Sequence, residues 1–99
     1  MQYLIFELSE GDDGVATLEA MASTRIDSHA AVMAEVQQVL DWAWREFPHS
    51  HGPIEEGMVW DHELLLQEEA GDWRTVTLTL SAAPHFVEAF LAEFGGEDD

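Results

Sequence analysis

The sequence contains no cysteine and no lysine. Without cysteine there are no disulfides and no thiolate metal ligands, and the redox compartment stays open. Without lysine there is no side-chain amine for Schiff-base chemistry. A G-x-S-x-G nucleophile turn and a phosphate-cradling glycine loop are also missing. Enzymatic function therefore has little support, and no motif implies a cofactor. No apolar run approaches the ~20 residues that span a bilayer. The start, "MQYLIFELSE", lacks the basic residues and small-residue cleavage site of a secretory signal, so a cytoplasmic location is expected.

Positive charge is almost absent too. Twenty-one acids face three arginines, for a net charge of −18. Such a field repels nucleic acid and anionic membranes and attracts cationic partners. The acids form no block of five or more, so this is not an acidic tail on a neutral body. What is present in quantity is apolar: 46% of the chain, with four tryptophans, which argues against disorder. At 99 residues the chain is expected to be one domain, 1–99, with a modest core.

Periodicity divides the chain into six elements. Residues 2–8 read as a strand, with Leu4, Phe6 and Leu8 on one face and Tyr3, Ile5 and Glu7 on the other. Asp13-Gly14 marks a tight turn. Val15 to Thr24 has helix-favouring composition, but a hairpin return after that turn predicts a strand, with Ala16, Leu18, Ala20 and Ala22 on its small-residue face. A helix follows over 28–47, capped by Asp27 or Ser28 and ended by Pro48. Val32, Val36, Val39, Leu40, Ala43 and Phe47 form its apolar stripe, with Met33 and Trp44 at one edge. Glu35, Gln38, Asp41 and Arg45 lie away from it. Trp42 projects roughly 120° from the stripe's centre, so it is either covered by another segment or exposed as an interface anchor.

The second half repeats the order. Strands at 57–69 and 72–81 are joined by "EAGD". Met58, Trp60, His62, Leu64 and Leu66 share one face of the first. Val76, Leu78 and Leu80 share one face of the second, and Trp73, Thr75, Thr77 and Thr79 the other. A closing helix, 83–96, has Pro84 in its first turn and buries Phe86, Val87, Phe90, Leu91 and Phe94. Gly95 and Gly96 stop it, and the acidic end at 97–99 frays. The expected fold class is α+β: ββαββα, a four-stranded antiparallel sheet with both helices on one face, a permuted ferredoxin-like arrangement.

Two functional readings follow. The first is a small acidic, non-catalytic protein–protein interaction module. It would bind a basic protein or imitate nucleic-acid charge, with Glu7, Glu19, Asp61, Glu63 and Glu68 contributing if their strands align. Trp42, Trp73, Tyr3, Leu65, Thr75 and Thr77 are the candidate partner-binding residues. The uncovered sheet face could also pair two copies as a homodimer. The alternative is a small metal-binding protein or enzyme built on "FPHSHGPIEEGMVWDHE". Here His49, His51 and His62, with Asp61 or Glu63, are an acceptable ligand set for zinc, nickel or iron. It needs the loop to fold back onto the strand. The plainer readings are a solvated loop, and acidity that serves solubility or tolerance of high salt.

Overall fold

A computed structural model describes residues 1–11 and 13–95. Gly96 and the acidic end at 97–99 lie outside the described residues. The chain forms an α+β fold: β1 (Phe6–Glu10), β2 (Ala16–Arg25), α1 (Ile26–Glu46), a short 3-10 turn (Ile54–Glu56), β3 (Trp60–Glu69), β4 (Trp73–Ala82) and α2 (Pro84–Phe94). The strands make one antiparallel sheet in the order β1-β2-β4-β3. No described helix is long and apolar enough to cross a membrane.

The central strands carry the core. Ala16, Leu18, Ala20 and Ala22 on β2 and Val76, Leu78, Leu80 and Ala82 on β4 are all buried. They join Val32, Val36, Val39, Trp42 and Ala43 of α1 and Phe86, Val87 and Phe90 of α2 in one cluster. The 15–24 segment is thus a strand despite its helix-favouring residues. Its alternation matches the pleat, and its alanines leave room for helix side chains against the sheet. Burying each Val, Leu or Phe side chain contributes roughly 1.5–3 kcal/mol.

Several boundaries and faces differ from expectation; β3, for one, begins at Trp60 and not at residue 57, because Gly57 ends the 3-10 turn in a left-handed conformation. The first strand begins at Phe6, not residue 2, because the Gln2, Tyr3 and Leu4 amides bond to the Glu35 carboxylate rather than to a strand. Helix α1 begins at Ile26, directly off β2, with no side-chain cap. The Ile26 amide instead donates to the Asp72 carbonyl at 2.8 Å, so the β3–β4 turn supplies the acceptor that Asp27 or Ser28 was expected to offer. Leu66 is 52% exposed, because the core draws on the edge strand β3 only at Trp60 and Leu64. Leu91 is exposed as well: one residue beyond Phe90, it has turned about 100° toward solvent.

Candidate functional site

The connection from α1 to β3 is a pinned structure. Pro48 follows the last helical turn, and His49 takes a left-handed φ of 66°. Ser50 then accepts from the Val59 amide at 2.9 Å, and the Gly52 amide donates to the Trp60 carbonyl at 3.0 Å. His51 thereby makes a parallel bridge to Trp60 along the outer edge of β3. This covers part of an otherwise open strand edge. Gly52 has a φ of 152°, and a Cβ there would lie 3.0 Å from Met58 Cγ, so glycine suits both the backbone and the space. The Trp60 indole N–H donates to the Phe47 carbonyl at 3.2 Å, tying the strand start to the helix end.

This path brings His51 to the first residues of β3. Its Nε2 lies 2.8 Å from His62 Nδ1 and 3.2 Å from Asp61 Oδ1. The three potential ligand atoms all fall within 4.8 Å of one another. The Asp61 carboxylate also accepts from the His62 amide at 2.9 Å, which fixes its direction. Trp44 and Trp60 pack against one side of the His51 ring, with centroids 4.6 and 4.5 Å away. Burial pushes the His62 pKa down; neighbouring His51 adds to this, and Asp61 opposes it.

Of the three histidines named from sequence, the structure brings together His51 and His62. His49 is exposed and stands outside the group, because its left-handed backbone sends the chain past it before the edge bridge forms. Asp61 joins them; Glu63, one strand pleat farther along, does not. The role of Trp44 as a wall had no sequence signal beyond its place at the stripe's edge. Two clefts, of about 580 and 380 Å³, lie elsewhere, and neither is lined by a histidine.

The second candidate is the sheet face opposite the helices. Leu65 is 51% exposed, Trp73 40% and Met21 64%. Met21, Thr77 and Leu65 are register partners in one row across β2, β4 and β3. Two residues along, Glu7, Glu19, Thr79 and Glu63 form a row across all four strands. Thr77 is half-buried, and Thr75 is buried, within 3.1 Å of both Ser23 Oγ and Glu69 Oε2. Two of the candidate partner-binding residues lie elsewhere. Tyr3 precedes β1, at the sheet edge opposite β3, and packs against the core cluster. Trp42 is 5% exposed and sits edge-on to Phe47, Phe86, Phe90 and Phe94, so the covered alternative describes it.

Comparison of the chain with protein-family models, with curated proteins and with solved structures found no match.

Proposed function

We propose that the protein is a non-catalytic docking module whose open sheet face receives a cationic surface of a partner protein. The observation that carries this reading is the registered row Glu7, Glu19, Thr79, Glu63. Like charges directly opposite on neighbouring strands destabilise a sheet, and Glu7 and Glu19 are such a pair. A cationic partner relieves that repulsion. The adjacent Met21, Thr77, Leu65 row supplies apolar area, and charge steers the approach.

Magnitude favours a basic protein over imitation of nucleic acid. The acidic row spans three inter-strand steps, about 14 Å, and carries three charges. A nucleic-acid strand carries one charge per ~3.4 Å. The row is sparser, which favours a folded basic surface. A second copy is a poor occupant, since face-to-face pairing would bring two acidic rows together across chains that each carry −18. The same field disfavours nucleic acid and anionic membranes as partners.

The strand order supports a finer reading of the fold. Moving the last strand of a ferredoxin-like chain to the front gives the order ββαββα, with β2 and β4 side by side at the centre.

Two triple variants test the docking reading at equal net charge. One neutralises the row as Glu7→Gln, Glu19→Gln and Glu63→Gln; the other changes Glu55→Gln, Glu56→Gln and Glu88→Gln. Binding to a basic globular probe protein is measured by calorimetry at low and raised salt. The row variant should lose binding, the control should keep it, and raised salt should weaken the binding that the wild type and the control retain. Equal behaviour of the two variants would mean diffuse charge alone and overturn the reading. A dimeric mass by sedimentation, abolished by Leu65→Glu, would assign the face to a second copy instead.

A further inference from the structure

We propose that His51 Nε2, His62 Nδ1 and Asp61 Oδ1 form a binding site for a divalent transition-metal ion of the zinc class. The proposal is independent of the docking reading, because it rests on the edge of β3 and the connection before it, not on the acidic row.

Distances come first. Two donors bound to one tetrahedral zinc at roughly 2.0–2.1 Å sit about 3.3 Å apart. His51 Nε2 lies 2.8 Å from His62 Nδ1 and 3.2 Å from Asp61 Oδ1. A shift of about half an ångström would take the imidazole pair from hydrogen-bond separation to the separation of a chelate. Preorganisation comes next. His62 is part of a paired strand, and the two backbone bonds on either side of His51 hold the connection against that strand. The ordering cost that a flexible loop ligand would incur at binding is met by the fold itself.

The donor set selects the metal class. Two imidazoles and one carboxylate suit zinc, nickel, copper or iron, whereas magnesium and calcium prefer oxygen throughout. Three protein ligands leave a fourth position for water or another donor. The indoles of Trp44 and Trp60 wall one side of His51 and limit competing water there. The net charge of −18 raises the local concentration of cations, which helps capture without defining the site. The competing description is a self-sufficient His–His–Asp hydrogen-bond network. It differs in one measurable respect: it gives zinc no preference for these residues over the many surface carboxylates.

The test uses the full chain, stripped of metal and titrated with zinc against a chromogenic competitor. The wild type should bind one equivalent and unfold at a higher temperature when loaded. His51→Ala and His62→Ala should each weaken binding by about 100-fold, the upper end of what losing even an outer hydrogen-bonded partner of a ligand costs. His49→Ala should bind as the wild type does. Imidazole NMR signals of the unaltered protein provide a readout that survives a variant's failure to fold. Zinc should move those of His51 and His62 and spare those of His49 and His85, and magnesium at the same concentration should move none. Unmoved His51 and His62 signals, or zinc affinity unchanged in a folded His51→Ala, would overturn the proposal.

Discussion

The carboxylate of Glu35, in the middle of α1, accepts a hydrogen bond from the backbone amide of Leu4 at 2.9 Å. The Gln2 amide reaches its other oxygen at 2.9 Å, and the Tyr3 amide lies 3.1 Å from both. One side chain thus satisfies three successive amides that have no strand partner, and it seats Leu4 in the core.

Glu35→Ala should therefore cost about 1.5–3 kcal/mol, the range for hydrogen bonds to a charged group. Urea unfolding gives the total. Amide exchange locates it: Gln2 to Leu4 should exchange faster, while the β2 and β4 amides exchange as before. Glu35→Gln, which presents an N–H₂ to those donors, should recover only part of the loss.

Trp42 meets four phenylalanine rings edge-on and is almost fully buried. Trp42→Ala removes the largest side chain between α1 and α2 and should cost about 3–5 kcal/mol. In a domain of this size that is a large part of the total stability. Trp42→Phe keeps an aromatic edge and should cost less. Thermal unfolding of both variants checks the order.

His62 sets a pH dependence. Its folded pKa lies below the ordinary 6.5, chiefly through burial, with His51 adding and Asp61 opposing. The unfolded chain takes up the proton first. Stability is therefore fully present above 6.5 and is lost as pH falls through 6.5 toward the lower folded value. Urea midpoints of metal-free protein between about pH 7.5 and 5.5 should fall more steeply for the wild type than for His62→Gln. Parallel slopes would show that His62 protonates equally in both states.

The stripe of α1, the stop at Pro48 and the proline start of α2 were legible in the sequence, whereas β2 was read as a strand only from the Asp13-Gly14 turn before it, against its helix-favouring composition. Each of the first three depends on a local backbone period or a local steric rule. The inward face of β4 was legible for the same reason: Val76, Leu78 and Leu80 alternate with threonines along one strand.

The candidate site was legible only as a set of names. His51, Asp61 and His62 are all in the stretch singled out by composition, but so are His49 and Glu63. The choice among them belongs to the path of thirteen residues, 47–59, between helix and strand. That path is set by the αL backbone at His49, by Gly52 and by two bonds to the β3 edge. Glu35 carried no signal: on the helix it reads as a solvent-facing acid, and its partners lie more than thirty residues away.

Side-chain direction along each element, and so the division into a buried and an open sheet face, was determined by the sequence alone, because it follows from the 3.6- and 2-residue periods of the chain. Which neighbour meets each side chain was decided only by the tertiary structure. Trp42 is covered because α2 packs beside α1, Leu66 is bare because β3 lies at the edge, and His51 touches His62 because a loop returns there. Such contacts join segments remote in sequence, and no local period encodes them.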